Sequence, residues 1–180
     1  TGGVFMNITA LQVKTSYSIL NSLNDIKKLV RLAVNYGYTS LAITDECNMF
    51  GVMEFYQECQ KNNLKAIIGI ELVYENTKFL LYAKNNEGYK NLIKLSTIIS
   101  SQSLIIDDLK KHCDNLILIM PFSFYDETIF NIYEDKFIGY STEEEKKKIT
   151  NKKVYINDVR YLNKEDYQYL DYANMIKNGK

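Results

Sequence analysis

Three apolar runs that each end in a carboxylate constrain this chain more than any other feature. They are Leu41–Asp45, Ala66–Glu71 and Val154–Asp158. Amphipathic helical runs separate most of the apolar runs. Such alternation implies βα units folded into a parallel sheet or barrel. Carboxylates at the C-terminal ends of buried parallel strands gather on one rim, where barrels of this kind build metal or catalytic centres. Yet the chain has one histidine, His112, so the nitrogen ligands that complete such a centre are scarce.

The remaining elements follow from periodicity. Ala10–Val13 reads as a short first strand. Asn24 or Asp25 opens a helix with Ile26, Leu29, Val30 and Ala33 on one face, and Gly37 ends it. Val52, Phe55, Tyr56 and Cys59 mark the face of a second helix, closed by Asn62 and Asn63. Lys78–Ala83 is a strand, and Asn86–Ser96 a helix with Tyr89, Leu92 and Ile93 inward. Leu116–Met120, stopped by Pro121, and Phe137–Tyr140 complete seven strands. A capping box at Ser141-x-x-Glu144 opens the charged helix Glu143–Ile149, a solvated face rather than a binding site. Asn163 caps a last helix running to about Lys177. No internal repeat is visible. The expected fold is a distorted (β/α)7 barrel like a TIM barrel, somewhat trimmed.

Composition excludes several function classes. Hydrophobic residues are 46% of the chain, enough for a sizeable core. The 22 basic residues balance 22 acidic ones, which argues against nucleic-acid binding as the chain's own main task. Three scattered cysteines, Cys47, Cys59 and Cys113, fit a reduced cytoplasmic compartment. No signal-peptide pattern and no membrane-spanning apolar run is present. Thr1–Phe5, ahead of Met6, reads as a cloning scar, leaving residues 6–180 as a single domain. The fifteen tyrosines are expected in packing; a base-stacking platform would add a basic groove.

The run from Leu41 through Asp45, Glu46, Cys47 and Gly51 to Tyr56 resembles the second motif of the PHP (polymerase and histidinol phosphatase) family. Its particular version is similar to the N-terminal domain of bacterial DNA polymerase III alpha subunits. Ser16–Ser22, Ile67–Glu71, Leu81–Leu92 and Asn157–Asp166 match further motifs of that family, in order. The resemblance covers nearly the whole chain from Ala10 onward. The stretch between Pro121 and Lys153 is shorter than the family usually shows. The resemblance also implies that the chain is excised from a longer polymerase, whose body would begin after Gly179–Lys180.

PHP domains that hydrolyse phosphoesters use a cluster of divalent ions, which generate hydroxide and clamp the phosphate. The family's His-x-His aligns with Gln12 and Lys14, the histidine after the motif aspartate with Glu46, and another histidine with Arg160. Asp45, Glu71 and Asp158 remain. Glu46 and Gln12 could still ligate, whereas Lys14 and Arg160 could not while charged. His112 aligns with no ligand position and reads as a surface or helix-end residue. Cys47 lacks the paired base that a nucleophile needs. Three close carboxylates repel, so Lys14 and Arg160 are expected to supply the positive charge that metals supply elsewhere. Drift after loss of activity, with no specific pairing, is the competing reading.

The resemblance therefore implies a structural and docking domain of a replicative DNA polymerase, without catalysis or cofactor of its own. Mg²⁺ and the polymerase site would lie outside this chain. The implied partners are the polymerase body, an exonuclease subunit and, only through the full-length protein, DNA. The alternative is a metal-dependent phosphoesterase or 3′–5′ exonuclease holding Mn²⁺ or Zn²⁺ on Asp45, Glu46, Glu71 and Asp158. A free-standing binding module of PHP ancestry is the third reading.

Overall fold

The computed structural model describes residues 9–177. The expectations for Thr1–Phe5 and for Gly179–Lys180 fall outside the described residues. Seven strands form one curled sheet in sequential order: β1 (Thr9–Ala10), β2 (Ser40–Ile43), β3 (Lys65–Tyr74), β4 (Thr77–Ala83), β5 (Leu116–Pro121), β6 (Asp135–Tyr140) and β7 (Lys153–Tyr155). Beyond β1 and β7, a parallel bridge between Val13 and Val159 joins the two ends of the sheet. That bridge lies at the rim where the carboxylates were expected to gather.

The helices cover the outside: α1 (Ile26–Asn35), α2 (Val52–Lys61), α3 (Asn86–Ser101), α4 (Ile106–Lys111), α5 (Glu127–Phe130), α6 (Glu143–Lys148) and α7 (Tyr167–Lys177). The side chain of Asp25 accepts from Lys28 N at 2.9 Å and starts α1. Ile26, Leu29, Val30 and Ala33 bury one face of α1, and Gly37 leaves the helix at φ 76°. A second outer cluster packs α3, α4 and α5 against β3–β6 through Leu92, Leu95, Leu109, Leu118 and Phe130. Inside the curl, Ala42, Leu80, Tyr82, Ile119 and Ile156 form a third cluster. The Tyr82 hydroxyl donates to Leu11 O at 2.8 Å, which satisfies the one polar atom of that buried ring.

The sheet is mixed, not parallel throughout. β4 runs antiparallel to both β3 and β5. Only Glu75 and Asn76 separate Tyr74 from its partner Thr77, and Glu75 takes φ 51° to make the turn. A parallel return needs a crossover of about a dozen residues or more. The short gap between the two apolar runs therefore forces a hairpin. Consequently Glu71 sits inside a ten-residue strand instead of at its end.

Smaller corrections have equally local causes. The first strand is shorter than Ala10–Val13, because pairing with β2 stops at Ala10 and Val13 turns to Val159. Likewise β7 ends at Tyr155, short of the Val154–Asp158 run. Thr142, one residue later than expected, caps α6; its hydroxyl accepts from Glu145 N at 3.2 Å while Glu145 Oε2 accepts from Thr142 N at 3.3 Å. Tyr56 and Ile93 are exposed, and Glu58 and Leu95 take the buried positions instead. α3 extends to Ser101, and α4 was not foreseen. Between Pro121 and Lys153 the outer layer is reduced to a four-residue α5 and a six-residue α6, consistent with a trimmed barrel.

Candidate functional site

At the rim, one lysine lies between two carboxylates from opposite parts of the chain. Lys14 follows the Val13 bridge and is fully buried. Its Nζ lies 2.8 Å from Glu71 Oε2 on β3 and 3.0 Å from Asp158 Oδ1 after β7. Gln12 Nε2 donates to the same Glu71 oxygen at 2.9 Å. Arg160 donates from Nε to Asp158 Oδ2 at 2.7 Å, with Nη2 at 2.6 Å from that oxygen. Glu71 Oε1 is buried without a hydrogen-bond partner. The ammonium of Lys78, at the start of β4, stands 4.0 Å from it and 3.3 Å from Glu46 Oε2.

Asp45 shares the rim but is held differently. It sits two residues beyond β2 and is buried. Thr15 donates to it twice, from N to Oδ1 and from Oγ1 to Oδ2, both at 2.7 Å. Ser18 Oγ donates to Oδ1 at 2.6 Å and in turn accepts from Glu46 N at 3.0 Å. Glu46 Oε1 accepts from Asn21 Nδ2 at 3.1 Å, and a parallel bridge pairs Glu46 with Glu71.

The charges on this rim stabilise each other. Burial alone pushes the Asp158 carboxyl up, but the Lys14 ammonium and then the Arg160 guanidinium outweigh it and hold that carboxyl below the usual range. Burial lowers the Arg160 guanidinium, but its hydrogen bond to Asp158 together with the charges of Asp158, Glu71 and Glu46 outweighs that and raises it. Cys47 adopts φ 57° and donates its N–H to Glu71 O at 2.8 Å. Burial raises its thiol, the direction opposite to that of an activated nucleophile. His112 caps the C-terminus of α4, four residues before β5 begins, so it lies at the other end of the strands. Burial and then Lys94 lower its imidazole.

The structure thus brings together Gln12, Lys14, Asp45, Glu46, Glu71, Asp158 and Arg160, and leaves His112 and any base for Cys47 out. Among the described residues, no group of three or more His, Cys, Asp or Glu side chains is arranged to hold a metal ion. Sequence reasoning missed Lys78, Thr15 and Ser18. Lys78 was readable once the gap from Val73 to Thr77 is taken as a hairpin, because the register sets Lys78 opposite Val73, two residues beyond Glu71. Thr15 and Ser18 carry a weaker signal, a polar turn that directly follows the first strand.

A family model described as PHP domain matches residues 10–153. DNA polymerase III subunit alpha of Streptococcus pyogenes serotype M3 is 30% identical over 178 residues, covering 94% of this chain and 17% of that protein. The same subunit of Bacillus subtilis is 38% identical over 105 residues, covering 54% of this chain and 9% of the relative. The chain therefore spans about a sixth of the length of its Streptococcus relative. An amidohydrolase from Chromobacterium violaceum superposes with a TM-score of 0.63 at 8% identity, over 93% of this chain and 97% of that one. A two-domain protein from Bacteroides vulgatus, containing a predicted PHP-like metal-dependent phosphoesterase, gives 0.57 at 10% identity, over 91% of this chain and 55% of that one. Likeness at such identities shows the fold alone, a curled α/β barrel. Family match, near-complete alignment with the polymerase subunits and shared fold agree: the chain belongs to the PHP domain family.

Proposed function

We propose that this chain is the N-terminal PHP domain of a replicative DNA polymerase III alpha subunit and serves it as a structural and docking module. The relatives that align across it are polymerase alpha subunits several times its length. In that setting the polymerase body of the same protein is its first partner and an exonuclease subunit a second. Nucleotidyl transfer, its Mg²⁺ and contact with DNA belong to the rest of the polymerase, in the cytoplasm. No described helix is long and apolar enough to cross a membrane.

The observation that carries the non-catalytic part is the position of Lys14. Its ammonium lies within hydrogen-bond distance of both Glu71 and Asp158. A protonated amine has three donors and no lone pair, so it cannot ligate. A divalent ion between the same carboxylates would meet Lys14, Lys78 and Arg160, three cations against Glu46, Glu71 and Asp158. The residues present do not fit a metal cluster.

Elemental mass spectrometry on the purified protein tests this, after exposure to excess Mn²⁺ and Zn²⁺ and desalting. Near-zero bound metal is the expected result. A full equivalent that disappears in Asp45→Ala or Glu71→Ala would overturn it and make phosphoesterase and 3′–5′ exonuclease assays the next step.

A further inference from the structure

The same lysine sits where the ends of the sheet meet. Only one bridge, Val13 with Val159, joins them among the described residues. Lys14 N donates to Val159 O and Val159 N donates to Gln12 O, both at 3.0 Å. The loop before α1 grips both backbones. Ser22 Oγ reaches Lys14 O at 2.8 Å and Arg160 O at 3.0 Å, and Asn24 Nδ2 reaches Lys14 O at 2.8 Å and Val159 O at 3.2 Å. Leu23 N donates to Arg160 O at 3.0 Å. Beyond this point the chain continues through the turn Lys164–Asp166 into α7, which buries Leu170.

We infer that Lys14 is the latch of the barrel seam: its ammonium, bonded to Glu71 on one side and Asp158 on the other, holds the segment Asp158–Arg160 against Gln12–Lys14. The backbone bonds at the seam are few, and loop side chains rather than a long ladder support them. An isolated pairing of this kind opens with little loss of neighbouring bonds. The side-chain cation supplies what the missing ladder does not, a contact that spans from the middle of β3 to the far side of the seam. If Asp158 lets go, Glu71 keeps its lysine and the barrel wall stays intact. The part released is the C-terminal segment, which in a longer chain carries the connection to whatever follows.

This inference rests on the metal-free reading of the rim, and the test separates the two. Native-state hydrogen exchange is followed at Lys14, Leu23 and Val159, with Leu81 and Leu118 of the β4–β5 ladder as internal reference. In Lys14→Met the three seam amides accelerate at least tenfold more than the reference amides, whose own change follows the overall loss of stability. Asp158→Asn, which leaves the Lys14–Glu71 pair in place, gives the same pattern should Lys14→Met fail to fold. Seam amides as slow as in the wild type, or acceleration spread equally over seam and ladder, would overturn the latch. A change in wild-type seam exchange on adding EDTA or Mn²⁺ would instead overturn the metal-free reading.

Discussion

Two buried carboxylates on one rim are held in opposite ways. Asp45 is surrounded by neutral donors, two from Thr15 and one from Ser18. Glu71 is held by a buried ammonium and an amide, and Asp158 by an ammonium and a guanidinium. In the first case dipoles of the loop after β1 are aimed at a charge. In the second, side chains bring charge of their own. The difference matters because Lys14 occupies the space between Glu71 and Asp158, whereas both Asp45 oxygens are taken by neutral donors.

The largest effect that would break this comparison is removal of Lys14. Lys14→Met leaves two carboxylates facing each other with one buried oxygen, Glu71 Oε1, already unpartnered. Breaking a buried pair in this manner costs about 3–5 kcal/mol. Urea unfolding of the single variant should show that loss, and Lys14→Met with Glu71→Gln should recover part of it. A loss below about 1 kcal/mol would mean the pair contributes little beyond its own desolvation.

Asp45→Ala should cost less, about 2–3 kcal/mol, since it strands Thr15 N and the Ser18 and Thr15 hydroxyls rather than a charge. Salt sharpens the contrast. The Asp45 cradle contains no ion pair, so its contribution should be the same at low and high ionic strength. Ser18→Ala should cost about 1 kcal/mol, through its bonds to Asp45 and Glu46 N. Arg160→Gln should cost less than about 1 kcal/mol, because the guanidinium is partly exposed and screened. If Arg160→Gln outweighs Ser18→Ala at high salt, the division between dipole-held and charge-held carboxylates fails.

The carboxylate rim was legible because each acid closes an apolar run, and period-2 burial plus strand direction then place them together. The faces of α1 were legible for the same reason, with four of its positions buried as the 3.6-residue period requires. The direction of β4 was not read, although the gap Val73–Thr77 is too short for any crossover and encoded the answer. Lys78 was lost with it, since its place beside Glu46 exists only in the antiparallel register. Thr15 and Ser18 were invisible for a different cause. A hydroxyl's value as a donor to Asp45 depends on the path of a loop, which no periodicity reports. Tyr56 against Glu58 is a case where the apolar residue lost the buried place, because Glu58 shields its carboxylate with Asn62 and Lys61 at the helix end.

Acid gives the smallest effect and the most specific one. Lys14 and Arg160 outweigh burial at Asp158 and hold its carboxyl below the ordinary value of 3.8. A carboxyl with a depressed pKa in the folded state binds its proton more weakly there than when unfolded. Its contribution to stability is therefore complete above the unfolded value and is lost as pH falls through the folded one. Urea midpoints of the wild type should decline between about pH 5 and about pH 3, where the unfolded chain takes up the proton first. Asp158→Asn removes that group, so its decline should be shallower while its stability at neutral pH is already lower. Parallel curves for the two proteins would mean that Asp158 gains nothing from Lys14 and Arg160. The rim would then be held by neutral donors throughout, and the contrast between Asp45 and Asp158 would disappear.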